Sequence, residues 1–121
     1  MEAAKDLKEK RRHPRVNVDL PLEYRVSGAP KAQAGIVINA SESGLLLHGL
    51  KDMPVGTKLS IAVLFPKGFE LTNFEVLAEI VWKESYWQEN RQEYLFGLKF
   101  IDILEADHQK LKRLLVEQNT T

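Results

Sequence analysis

Cysteine is absent from the 121 residues. That excludes a disulfide scaffold and any thiolate metal site, and it permits a reducing compartment. Net charge is absent as well, since 17 basic residues balance 17 acidic ones. No global field then gathers nucleic acid or an anionic membrane, so any anion site must come from a local cluster. No apolar run approaches the roughly 20 residues that span a bilayer, and the first ten residues are charged rather than apolar. Neither a membrane span nor a signal peptide is expected, and the expected address is the cytosol. Histidine is scarce: His13, His48 and His108 fall on three different elements, without a metal-ligand neighbour at i, i+4. There is no G-x-S-x-G, P-loop or G-x-G-x-x-G. Asp and Glu are spread along the solvent faces of strands and do not form paired catalytic carboxylates. Neither an enzyme nor a metal site is expected. Internal repeats and low-complexity stretches are also lacking.

What is present is a chain of one-domain length with 44% hydrophobic residues, enough for a real core. Residues 2–10 are good helix formers with little apolar surface, so they predict a short or frayed helix. From Val16 to Val26 apolar residues alternate with Asn17, Asp19, Pro21, Glu23 and Arg25. That is the period of a strand with one wet side, and Pro21 predicts an edge position or a bulge there. Short strands are expected over 34–38 and 45–48, and longer ones over 57–65, 70–84 and from Tyr94 to Phe100. Turns are expected at Ser27–Pro30, Pro54–Gly56, Pro66–Gly68 and Gln88–Gln92. After that the period changes to 3.6. Leu104, His108, Leu111 and Leu115 share one face of a helix over about 104–118, with Asp102 and Glu105 spaced as a capping box. The expected fold is mainly β: a six-stranded antiparallel β-barrel with a C-terminal α-helix and a flexible N-terminal basic loop. By segment, 1–15 carries the basic loop, 16–103 the barrel and 104–121 the helix and tail.

Three features bear on binding. Lys10-Arg11-Arg12-His13-Pro14-Arg15 holds four basic residues and no acid, and Pro14 keeps it out of a helix. The planar forks of Arg11 and Arg15 match phosphate oxygens and the O6/N7 edge of guanine. Asn39-Ala40-Ser41-Glu42-Ser43-Gly44 is a polar connection whose carboxamide and hydroxyl can meet a base edge, with Gly44 supplying backbone freedom. Trp82 ends an apolar face shared with Ala78 and Ile80. Each feature alone is also what a solvated basic tail, a structural hairpin and a core or barrel-mouth tryptophan look like, and Trp82 stays open between packing and stacking a base.

Together these features resemble the PilZ domain, the bacterial receptor module for cyclic di-GMP. The R-x-x-x-R motif stands as Arg11–Arg15 and [D/N]-x-S-x-x-G as Asn39–Gly44. Ala78-Glu79-Ile80-Val81-Trp82 and Tyr94-Leu95-Phe96-Gly97-Leu98-Lys99-Phe100 follow the family pattern, and the resemblance runs from about residue 9 to 117. It implies that Arg11 and Arg15 grip phosphates and guanine edges. It also implies that Asn39 and Ser41 contact guanine and that Gly44 shapes the turn. Lys10, Arg12 and Trp82 are implied as additional contacts, with Lys10 bearing on whether one nucleotide or a stacked pair binds. Pro14 stiffens the loop between the arginines, and Asn39 in place of Asp gives up a charge-assisted bond to guanine. The ligand the resemblance implies is cyclic di-GMP, with no cofactor and no metal expected. Binding is expected to order the basic loop and alter contacts with a separate, unidentified downstream protein, as in the control of motility or biofilm formation. Monomer and dimer stay equally open, and neither nucleic acid nor membrane is an expected partner. The alternative is a PilZ-like interaction adaptor that does not bind the nucleotide. A nucleic-acid-binding barrel is disfavoured by the zero net charge.

Overall fold

The computed structural model describes residues 14–119. Lys10, Arg11, Arg12 and the helix expected over 2–10 lie outside the described residues. Six strands follow one another, each antiparallel to its neighbours: β1 (Val16–Val26), β2 (Gln33–Ala40), β3 (Gly44–Gly49), β4 (Lys58–Lys67), β5 (Glu70–Gln88) and β6 (Arg91–Asp102). Among the described residues one helix, α1 (Glu105–Asn119), closes the sequence of elements. The sheet order is β1-β2-β3-β6-β5-β4, and pairing of β1 with β4 closes it into a barrel.

Alternation decides what faces inward. Leu22 and Tyr24 of β1, Leu45 and Leu47 of β3, Leu59 and Ile61 of β4, Phe74 and Ile80 of β5, and Phe96 and Leu98 of β6 are all buried. Burial pushes the Tyr24 phenol above its ordinary value of 10.0. The amphipathic helix adds Leu111, Leu114 and Leu115 to the same core. Two polar contacts pin it to β5: Asp107 Oδ1 accepts from the Glu75 backbone N–H at 3.0 Å, and Lys110 Nζ donates to the Asn73 carbonyl at 3.1 Å.

Several expectations need correction. β1 is paired on both sides, so it is not an edge strand, but its pairing with β4 begins only at Leu22. Pro21 pairs with Ile36 on the β2 side and sits just outside the β4 ladder, where its missing N–H does the least harm. The irregularity in β1 falls between Asn17 and Leu20, with Asp19 at φ 47°. It is thus a bulge just ahead of the proline. Pro66 and Lys67 belong to β4, pairing with Leu71 and Glu70, so the turn is Gly68–Phe69 with Gly68 at φ 64°. β5 and β6 run on as a ribbon to Gln88 and Arg91, and the hairpin tip narrows to Glu89–Asn90, at φ 51° and 65°. Two consecutive left-handed residues match the right-handed twist of a long hairpin. Asp102 pairs with Leu77 at the end of β6, and Leu104 is the residue that precedes α1, so Asp102 does not cap the helix.

Candidate functional site

The two sequence motifs converge at the start of β1. Arg15 lies one residue before the strand, and its Nη1 donates to Asn39 Oδ1 at 2.9 Å across 24 residues of sequence. The cause is register: Asn17 pairs with Asn39, which brings the end of the basic segment beside the end of β2. The bond takes one guanidinium donor of Arg15 and the carboxamide oxygen of Asn39.

Beyond Asn39 the chain turns back into β3. The turn is held internally: Ser41 N–H donates to the Gly44 carbonyl at 2.8 Å, and Ser43 N–H donates to Ser41 Oγ at 3.2 Å. Ser41 is buried, and its hydroxyl lies 3.2 Å from Ser43 Oγ. The Ser43 carbonyl accepts from the Phe100 N–H at 2.9 Å, which ties the turn to β6. Ser41 therefore organises the loop from inside, and Asn39 is the more open of the two expected guanine contacts. Gly44 is required for a different reason from the one its sequence suggested. It is not at positive φ; a Cβ there would meet the Leu98 carbonyl oxygen at 2.2 Å. The glycine admits β6 rather than a turn conformation.

Register also places Trp82. Asn39 pairs with Leu46, Leu46 with Gly97, and Gly97 with Trp82. These residues form one row on the outer face, and three strand spacings put Asn39 and Trp82 about 14 Å apart along the sheet. A bulge between Ile80 and Trp82 breaks the apolar phase of β5, so Ile80 stays in the core and Trp82 turns outward, 43% exposed. Its indole packs over Gly97, where a Cβ would stand 2.1 Å from Nε1. Trp82 is thus an outer-face group and not a core one. Gly97→Ala is expected to displace the indole while leaving the fold in place, because the obstacle is an exposed side chain. A changed Trp82 emission with a melting temperature within a few degrees of wild type would bear this out; a large loss of stability would contradict it.

A second polar cluster escaped sequence reasoning. Glu93 is buried on β6, with Oε1 2.7 Å from His48 Nε2, while Arg91 Nη2 donates to Oε2 at 3.2 Å and the Tyr86 hydroxyl to Oε1 at 3.4 Å. The hydrogen bond to His48 holds the Glu93 carboxyl below its ordinary 4.5, with Arg91 adding to the effect and burial opposing it. Tyr86 is raised, first by desolvation and then by the Glu93 charge. Because the folded value for Glu93 lies below the unfolded one, its contribution to stability is complete above about pH 4.5 and is lost as the pH falls through the folded value. A thermal-melt series from pH 7 to pH 3 should show a decline on the acid side that Glu93→Gln flattens. An unchanged slope in that variant would refute the assignment. The only sequence signal was the alternation of Glu93 against Tyr94 and Phe96, and the partners on β3 and β5 need the register.

Among the described residues, no cluster of three or more His, Asp or Glu is arranged to hold a metal. No described helix is long and apolar enough to cross a membrane. An outer-face row with an arginine and a carboxamide at one end and an indole at the other suits a flat, anionic ligand.

The PilZ domain profile matches residues 9–117. The chain belongs to the PilZ domain family. No curated protein matches it in sequence. Among solved structures it is similar to the Bacillus subtilis inhibitor of motility (MotI/DgrA), with a TM-score of 0.74, 14% identity, and coverage of 92% of this chain and 51% of that one. It is similar to the PilZ domain of YcgR from Escherichia coli with c-di-GMP, at TM-score 0.69 and 12% identity, covering 92% of each chain. It is also similar to the Borreliella burgdorferi PlzA protein in complex with c-di-GMP, at TM-score 0.61 and 16% identity, covering 98% of this chain and 57% of that one. The PilZ chain thus spans about half of MotI and PlzA and nearly all of the YcgR domain.

Proposed function

We propose that this PilZ domain is a cytoplasmic receptor for cyclic di-GMP that performs no chemistry on its ligand. The observation that carries the reading is the Arg15–Asn39 bond of 2.9 Å, which joins the last residue of the R-x-x-x-R segment to the first of the N-x-S-x-x-G motif. Arg11 and Arg15 grip phosphates and guanine edges, and Asn39 reads a guanine from the sheet. Ser41 and Gly44 hold the turn that presents it, while Trp82 offers a stacking face. Lys10 and Arg12 add charge beside the phosphates. The ligand draws residues 1–15 onto the barrel formed by 16–103 and the helix that follows, and the rearranged surface alters contacts with a downstream protein that controls motility or biofilm formation.

The test is isothermal titration of cyclic di-GMP into the purified protein, with Arg11→Ala and Arg15→Ala alongside. Saturable heat that either variant abolishes or greatly weakens supports the receptor. Absence of binding by the wild type sinks it and leaves an interaction adaptor that needs no nucleotide.

A further inference from the structure

The N-x-S-x-x-G turn carries a carboxylate, Glu42, in the part of the molecule assigned to a dianion. An acid there repels phosphate unless something neutralises or withdraws it. In the structure His108 of α1 is placed to withdraw it: its Nε2 lies 3.3 Å from Glu42 Oε1, with the two side chains 31% and 36% exposed. Neither partner is free to drift. The turn on the Glu42 side is locked by the Ser41 and Ser43 bonds and tied to β6 by Phe100. On the helix side, His108 stands between Asp107, bonded to Glu75, and Lys110, bonded to Asn73, with Leu111 buried one turn on.

We propose that His108 is a positioning residue for the nucleotide site, holding the Glu42 carboxylate against α1 and away from the ligand phosphates. The inference rests on the cyclic di-GMP reading and extends it to a residue on α1, which contributes to neither motif.

With His108 removed, the Glu42 carboxylate is no longer held against α1 and faces the dianion through partly screened solvent. Coulomb interaction at such separations corresponds to a loss of affinity of about three- to tenfold. The experiment is a double-mutant cycle by isothermal titration of cyclic di-GMP, using wild type, His108→Ala, Glu42→Gln and the double variant at low and high salt. His108→Ala alone is expected to weaken binding by that factor, and the loss is expected to shrink in high salt. Glu42→Gln should bind at least as tightly as wild type, and His108→Ala should have no further effect in that background. Rescue by Glu42→Gln is a readout that a merely structural role for His108 would not produce. If His108→Ala leaves affinity unchanged, or weakens it equally with and without Glu42, the positioning role is overturned while the receptor stands. If the wild type binds no nucleotide, the receptor reading falls and this inference falls with it.

Discussion

Arg15→Ala is expected to weaken cyclic di-GMP binding by about 10- to 150-fold. The estimate follows from hydrogen bonds to a charged group, worth about 1.5–3 kcal/mol, at tenfold per 1.4 kcal/mol. The mechanism is geometric as well as electrostatic. Arg15 is already held by Asn39, so part of its side-chain ordering is complete before ligand arrives. Arg15→Lys retains the charge but loses the planar fork, and it should recover only part of the affinity. Asn39→Ala should weaken binding too, and by less than additively with Arg15→Ala, since the two residues share a bond. The melting temperature of Arg15→Ala should stay near wild type because the bond is exposed. Titration and a thermal melt on the same sample separate the two readouts. Wild-type affinity in Arg15→Ala would remove the guanidinium from the site.

Gly44→Ala should destabilise the fold by about 1–3 kcal/mol or more, the range for overpacking a site that cannot yield. The added methyl would meet the Leu98 carbonyl oxygen at 2.2 Å and its carbon at 3.3 Å. Both atoms are backbone, at the end of the β3–β6 ladder, where Gly44 pairs with Lys99 and Leu45 with Leu98. Relief therefore means prising two strands apart. Gly28→Ala is the contrasting control: nothing lies within 4 Å of its Cβ position, but its φ of 85° is left-handed. Its cost of about 1–3 kcal/mol is then backbone strain. At several degrees of melting temperature per kcal/mol, a Gly44→Ala melt within two degrees of wild type would contradict the close approach. The variant should also lose nucleotide binding, since displaced strands carry the turn with them.

Two glycines show how far residue identity goes. Gly44 and Gly97 are both in strands, and both are forced by an approaching neighbour, a carbonyl in one case and the Trp82 indole in the other. A sequence pattern can mark them as special, but it cannot name the neighbour. Trp82 makes the same point. Its phase with Ala78 and Ile80 pointed inward, and a single bulge in the β5–β6 pairing turned it out. Bulges leave no periodic trace, so no reading of alternation anticipates that reversal. Pro21 was informative only in part: it marked a place where one side of β1 is unpaired, not a strand that is unpaired throughout.

Some of this protein was determined by its sequence alone. The even period of the apolar residues specified six strands, and the change to a 3.6-residue period specified the helix; both are local consequences of backbone geometry and solvent. The order of arginine segment, Asn39–Gly44 and the late Gly97 pattern was sufficient to suggest the family. The tertiary structure decided the rest, because it depends on which residues a closed sheet sets side by side. Only register brings Arg15 to Asn39 and aligns Asn39, Leu46, Gly97 and Trp82 in a row. Only helix docking sets His108 against Glu42, and only the β3–β6–β5 pairing gathers His48, Glu93 and Tyr86. Contacts between residues 24 to 66 positions apart are properties of packing, and local composition carries no record of them.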